Sequence, residues 1–317
     1  MYADIDDIDI KILKAMSREG YSSLTLLSER VDLSRFIVGK RIDKLVSEEI
    51  IKGQTVLTNP YTLGYTQNVF FEFKTNPHEP WIMESLEAME FCETLDGISG
   101  EYSIIAKFRL KDDLQFKNLL RDIDGLMSRS IFKKYRSVKA VRFYKEFGMV
   151  LKESPKKIRL DTLDFKILEI LQNPAKYVKK FQPITTIKIS KILTEKGSSI
   201  SQPAVSRRIR RLEENNVILR RVVLIDYGKV KNNLKFVLRI KVNPRYYKKV
   251  ALSELVAMSE ISDLYRTSEN YGLLAIVRVE NVEKYNEFLI RLYNSSDVLD
   301  THSTLVLDER KQLSVFA

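Results

Sequence analysis

One unit of this chain is written twice, and that repetition limits the possible folds more than any other property. Asp6-Asp7-Ile8-Asp9-Ile10-Lys11-Ile12-Leu13 returns as Asp161-Thr162-Leu163-Asp164-Phe165-Lys166-Ile167-Leu168, 155 positions later. The stretch Ser34–Leu45 returns as Ser201–Leu212, and Asn76-Pro77 as Asn243-Pro244, both 167 positions later. A long period with two copies describes tandem domains, not a solenoid.

Each copy opens with helical patterns. Asp6 with Asp9, and Asp161 with Asp164, have capping-box spacing. Apolar residues follow at helical intervals: Ile8, Ile12, Ala15 and Leu163, Ile167, Leu171. Second helices are expected at about Leu24–Val31 and Ile187–Thr194. Third helices start at Ser34 and Ser201, with Val38, Ile42, Leu45 and Val205, Ile209, Leu212 facing inward. The β-rich stretches Ile50–Leu57 and Val217–Ile225 complete two winged helix-turn-helix units, each with its own hairpin. The period then changes. Strands are expected at Val69–Thr75, Cys92–Leu95, Tyr102–Leu110 and Val138–Tyr144, with helices at Pro80–Met89 and Asp113–Ser128. The second copy repeats this with strands at Phe236–Val242, Ile261–Thr267, Leu273–Val279 and Thr301–Leu307, and helices at Tyr246–Met258 and Val282–Tyr293. The order βαββαβ is a ferredoxin-like sandwich. The fold class is α+β. Its domains are a winged helix-turn-helix at 1–63, a βαββαβ domain at 64–150, a linker at 151–159, a second winged helix-turn-helix at 160–230 and a second βαββαβ domain at 231–317. The open faces of the two sheets are expected to be apolar and to pair.

Charge singles out the second helical head. The chain of 317 residues carries a formal +11. Residues 1–53 hold 9 Lys/Arg against 10 Asp/Glu, whereas residues 156–221 hold 16 against 6. A basic excess concentrated on one helix-turn-helix suits a polyanion. On the third helix of copy two, Pro203, Arg207, Arg210 and Arg211 point outward, and Gln202, Ser206 and Arg208 lie on the flanks. Gln and Arg are the residue types that read adenine and guanine edges. Arg210, Arg211, Arg220 and Arg221 suit phosphates. Copy one offers Ser34, Arg35, Lys40, Arg41 and Lys44, with Asp43 where copy two has Arg210. Double-stranded DNA is the expected partner.

The absences are equally specific. One cysteine, Cys92, allows neither an internal disulfide nor a metal cluster. No phosphate-binding glycine loop occurs. His78 and His302 stand alone, so no catalytic residue, metal or cofactor is assigned. The acidic N-terminus is not a secretory signal, and no apolar run is long enough for a membrane. A cytoplasmic location is expected.

The combined pattern resembles the Lrp/AsnC family, the feast/famine regulators of bacteria and archaea. It does so through Asp6-x-x-Asp9-x-x-Ile12-Leu13, Leu160-Asp161-x-x-Asp164-x-x-Ile167-Leu168, Leu33-Ser34-x-x-x-Val38-x-x-Arg41-Ile42-x-x-Leu45 and Ile200-Ser201-x-x-x-Val205-x-x-Arg208-Ile209-x-x-Leu212-Glu213. Ile50-Ile51-Lys52-Gly53, Val217-Ile218 and Thr301–Leu307 add to it. The resemblance implies a transcription regulator, of archaeal type, that forms a homodimer through its βαββαβ (RAM) domains and often takes a small-molecule effector there. At the matching turns this chain has Gly100-Glu101-Tyr102-Ser103 and Glu269-Asn270-Tyr271-Gly272, which depart from the family's Gly-then-Asp arrangement. Gly100, Tyr102, Asn270 and Tyr271 are the effector candidates. Two alternatives come with the resemblance. One is a siroheme-decarboxylase-like enzyme, which would need His and Arg in a tetrapyrrole cleft. The other is a partner module that does not itself bind DNA.

Overall fold

The computed structural model describes residues 5–19, 23–151, 158–178, 181 and 184–312. Most of the expected linker, residues 152–157, lies outside them. In chain order the elements begin α1 (Asp7–Glu19), α2 (Leu24–Val31), α3 (Arg35–Ser47), β1 (Ile51–Thr58), β2 (Gln67–Lys74) and α4 (Pro80–Ala88). They continue with β3 (Cys92–Ile98), β4 (Ile104–Leu110), α5 (Asp113–Met127), β5 (Lys134–Glu146), β6 (Met149–Val150), α6 (Thr162–Gln172), α7 (Thr186–Glu195) and α8 (Gln202–Glu214). Last come β7 (Ile218–Ile225), β8 (Leu234–Val242), α9 (Tyr247–Ser253), β9 (Ile261–Thr267), β10 (Leu273–Val279), α10 (Val282–Tyr293) and β11 (Val298–Gln312).

Two compact units result, neither continuous in sequence. One gathers Met1–Leu63 and Ser154–Lys231, the other Gly64–Glu153 and Asn232–Ser314. The helical heads thus share a unit, and so do the two βαββαβ halves.

In the helical unit, local signals set the helices. Asp161 and Asp164 form a reciprocal capping box at the start of α6. Ser34 caps α3 by accepting from the Ile37 N–H at 3.3 Å, whereas Ser201 precedes α8 without a side-chain bond. The wings depart from expectation. Each head contributes one strand, and β1 pairs antiparallel with β7 from Gly53↔Leu224 to Leu57↔Arg220. The strands are exchanged as well as paired. Val223 and Ile225 of β7 join Ile12, Val38, Ile42 and Leu45 in the first head's core. In return, Thr55 of β1 donates its buried hydroxyl to the Gln172 carbonyl of α6 at 3.0 Å. A lone strand after a recognition helix leaves a row of backbone groups unpaired. The two heads satisfy each other's row.

The second unit closes on itself. Its strands run β2-β4-β3-β11-β8-β10-β9-β5, and β5 pairs back to β2, so eight strands complete a ring with β6 appended to β5. Both halves show the expected βαββαβ order, but the helix expected over Tyr246–Met258 ends at Ser253 and gives way to a 3-10 turn, Leu255–Ala257. The halves meet through edges, not stacked faces: β3 pairs β11 and β5 pairs β9, both antiparallel. Val69, Phe71, Ala106 and Phe108 form one apolar layer with α4 and α5. Leu238, Ile240, Ala275 and Val277 form the other with α9 and α10. The opposite face, expected to be apolar, is charged. Glu72, Glu93, Asp96, Lys107, Arg109, Glu146, Lys235, Arg239 and Asp263 are all buried. A closed ring buries both faces of every strand, so period-2 alternation separates two interiors here instead of core from water.

All but Asp263 of those charges stand in ion pairs, and Asp263 accepts from the Phe147 N–H at 3.1 Å. Lys107 Nζ lies 2.7 Å from Glu93 and 3.0 Å from Glu146, and Arg109 lies 2.7 Å from Glu93. Lys235 reaches Asp96 at 2.7 Å, and Arg278 reaches Glu309 at 2.6 Å. Burial alone would raise the carboxyls of Glu146 and Glu309, but Arg109 with Lys107, and Arg278 with Lys235, hold them down to about 2. Each folded-state value lies below the ordinary 4.5, so the stabilisation is complete above pH 4.5 and is lost as pH falls toward 2. Urea midpoints should drop through that window; a flat profile there would refute the pairing. In the helical unit, a Cβ on Gly39 of α3 meets only Leu24 Cδ2, at 3.6 Å. Gly39→Ala should raise stability by up to about 1 kcal/mol, measured by denaturant melting.

Candidate nucleic-acid interface and barrel cavity

Helix α8 is held by its inner face and by its flank. Val205, Ile209 and Leu212 are buried. Arg208 reaches Asp161 and Asp164 at 2.8 Å each, and Arg211 also bonds Asp164, a fully buried carboxylate. Head one repeats the clamp: Arg41 lies 2.5 Å from Asp6 and 3.0 Å from Asp9, and Lys44 lies 3.7 Å from Asp9. Arg41, with the backbone N–H groups of Asp9 and Ile8, holds the Asp6 carboxyl below its usual range. At Asp161, burial pushes upward but is outweighed by the Asp164 backbone N–H and by Arg208. Arg41, Lys44, Arg208 and Arg211, expected as DNA contacts, therefore have charges committed to orienting their helices. The Asp-x-x-Asp motif and an Arg recurring in both copies carried that signal.

What α8 presents outward is narrower than expected. Gln202, Pro203, Arg207 and Arg210 are exposed and Ser206 is half-buried. Arg207 and Arg210 make no ion pair among the described residues. Gln202 Nε2 donates to Thr186 Oγ1 at 2.8 Å, tying the starts of α8 and α7 together. On α3, Ser34, Arg35, Lys40 and Asp43 are exposed, Phe36 is 70% exposed, and Lys40 Nζ sits 4.6 Å from the Phe36 ring centroid. Arg220 and Arg221, expected to meet phosphates, stand half-buried on β7 opposite Leu57 and Val56. They belong to the ribbon that joins the heads.

A cavity of about 470 Å³ opens in the barrel unit. Gly100, Tyr102, Asn270 and Tyr271, the four effector candidates, all line it. Its charged groups were not anticipated. Glu72 at its base accepts from Arg239 and Arg136. Glu269 lies 3.7 Å from Arg239 and 3.8 Å from Arg136. Arg239 is almost fully buried, and its Nε has no hydrogen-bond acceptor among the described residues. Tyr271 donates to Asp300 at 2.6 Å and meets the His302 ring edge-on. The signal for the cavity's base lay in the repeat itself, since the 167-residue offset superposes Glu72 on Arg239. No group of His, Cys, Asp and Glu suited to a metal occurs among the described residues. Burial pushes the Cys92 thiol up to about 12, leaving it inert.

The clamp and the outward face make separable predictions. Arg208→Ala with Arg211→Ala removes both cations from the buried Asp164 and should destabilise the head by about 3 kcal/mol in thermal melts. Arg207→Ala should stay within about 0.5 kcal/mol of wild type. Equal losses would refute the division of roles.

Comparison with known proteins agrees with both units. Residues 5–52 match a model of winged helix-turn-helix DNA-binding domains, and residues 235–316 match the Lrp/AsnC ligand binding domain. The HTH-type transcriptional regulator FL11 of Pyrococcus furiosus is 31% identical over 153 residues, which are 48% of this chain and 93% of that protein. The regulator LysM of Sulfurisphaera tokodaii is 30% identical over 148 residues, 47% of this chain and 95% of that one. Among solved structures, the siroheme decarboxylase NirDL shares the fold over 98% of this chain and 94% of its own, with a TM-score of 0.60 at 13% identity. No helix among the described residues is long and apolar enough to cross a membrane. On the strength of its coverage of the FL11 regulator, this chain belongs to the Lrp/AsnC family of helix-turn-helix transcriptional regulators.

Proposed function

We propose that this chain is a tandem duplication that supplies both members of a regulator pair, and that it binds duplex DNA chiefly through α8. The observation that carries this reading is the exchange-locked pair of heads. In it α8 offers exposed Arg207 and Arg210, with Gln202 at its start, while α3 offers Arg35, Phe36, Lys40 and an opposing Asp43. A pair of identical heads favours a palindrome; two different recognition helices in one unit favour an asymmetric site. Sheet pairing that would otherwise join two chains is completed within one, so a single chain is the expected binding unit, at 36.9 kDa by light scattering. A regulator of this kind acts where the DNA is, in the cytoplasm.

The test is a salt-dependent gel shift on duplexes selected from a random pool. Affinity should fall with salt, with the log–log slope reduced by about 0.9 for each phosphate contact removed. Arg207→Ala with Arg210→Ala should cost at least about 1.4 kcal/mol, a factor of ten, more than Arg35→Ala with Lys40→Ala. Equal losses would reject the dominance of the second head. No binding to any duplex would favour the partner-module reading.

The barrel cavity supports a small polar effector bearing both charges. Arg239 Nε can take a carboxylate, and Glu269 or Glu101 an ammonium group. At a ligand concentration 100 times Kd, binding should stabilise the barrel by about 2.7 kcal/mol, and Arg239→Gln should abolish the shift. A screen of free amino acids by thermal melting checks this, and no shift from any of them would overturn it. The siroheme-decarboxylase alternative asks for His and Arg in one cleft, and this cavity holds both. His302 is present, but Glu72, Glu101 and Glu269 face Arg136 and Arg239. A polycarboxylate tetrapyrrole would meet more acid than base.

A further inference from the structure

The strand registers give the barrel a pseudo-twofold relation in sequence. Phe71 pairs with Ala106 and Ser137, and Leu238 pairs with Ala275 and Ser303. Across the two seams, Phe143 pairs with Tyr265, and Glu309 with Asp96. Equivalent positions follow directly: Glu72 with Arg239, Asn68 with Lys235, Asp96 with Tyr265, and Phe143 with Glu309. In three of these couples a charged residue replaces a neutral one, and in the fourth the sign is reversed.

The consequence appears when each half is placed opposite a copy of itself. In the structure Glu72 bonds Arg239 across the barrel. Two first halves would set Glu72 against Glu72, and two second halves would set Arg239 against Arg239. In the structure Lys235 bonds Asp96 at 2.7 and 2.9 Å. Two first halves would replace that lysine by Asn68. At the other seam the neutral Tyr265 accepts from Lys107 and donates to Glu146, each at 2.9 Å. Two first halves would put Asp96 there, beside Glu93 and Glu146. Two second halves would put the neutral Tyr265 in place of Asp96 beside Lys235. All these groups are buried or nearly so, where unbalanced charge is most costly.

We infer that the charged inner wall is a recognition code: each half accepts its complement and rejects a copy of itself. The inference rests on the duplication reading and deepens it. It names the partner of each half and the residues that reject the alternative. Such discrimination works through repulsion in the wrong pair as much as attraction in the right one.

The test uses the full chain. Glu72→Arg and Arg239→Glu, made singly, should each lower the melting temperature by roughly 5–10 °C, and the double swap, made in a chain carrying Arg136→Gln and Glu269→Gln so that neither new charge meets its like, should recover most of it. Separately, Glu72→Gln, Arg239→Gln, Asp96→Asn and Lys235→Met together remove the code. Two differently tagged populations of that neutral chain should co-purify after mixing at least tenfold more than wild-type populations do. If the neutral chain proves unfolded, Glu72→Gln with Arg239→Gln replaces it in the same assay. Recovery by the double swap without enhanced co-purification overturns the code and leaves the paired halves standing. No recovery by the double swap means that Glu72 and Arg239 do not face each other, and both the code and the pairing of duplicated halves fail.

Discussion

Backbone pairing between segments distant in sequence is the constraint on which the rest depends. β1 and β7 have no partner within their own heads, and β3, β5, β9 and β11 would be exposed edges in isolated halves. An unpaired edge is both a lost set of hydrogen bonds and an invitation to aggregate. The chain removes these edges by joining head to head and half to half. The exchange of Val223 and Ile225 into the first head's core makes head one incomplete without the second. The two recognition helices are then members of one packed unit, not tethered neighbours.

Closure of the barrel has an electrostatic cost that its composition answers. Both faces of each strand lose water, so each charge turned inward needs a partner at hydrogen-bond distance. Glu93, Glu146, Lys107 and Arg109 provide one such set, and Asp96, Glu309, Lys235 and Arg278 another. Replacing such sets by apolar residues is often neutral or stabilising elsewhere. Their retention here is better understood as specification of which strands meet than as a source of stability.

Much of this was legible in the sequence, for local reasons. The spans Leu24–Val31, Leu273–Val279 and Val282–Tyr293 were read as they stand, because caps and apolar periods are properties of neighbouring residues. The outward direction of Arg207 and Arg210 followed from helical geometry alone. The wing hairpins failed because strand pairing is not local: β1 reads as one arm of a hairpin whatever strand completes it. The charged barrel wall failed because alternation in Lys107-Phe108-Arg109 is identical for a solvated face and for a buried one. The ion pair of Arg208 was not legible because a helical wheel gives direction but not reach, and a long side chain on the flank can fold back to Asp164.

Holding both halves in one chain changes what the paired surfaces can be. In a pair of identical chains every substitution appears on both sides of the axis, so a residue on the axis must tolerate itself. Glu72 opposite Arg239 is a solution open only when the two sides differ. The same freedom reaches the recognition helices. Position by position, Arg35 stands against Gln202, Phe36 against Pro203, Lys40 against Arg207 and Asp43 against Arg210. The inner-facing residues Val38, Ile42 and Leu45 against Val205, Ile209 and Leu212 remain alike, because both heads must pack the same core. The two stretches therefore differ where packing does not forbid it: on the barrel axis, where opposite signs hold the halves together, and on the outer faces of α3 and α8.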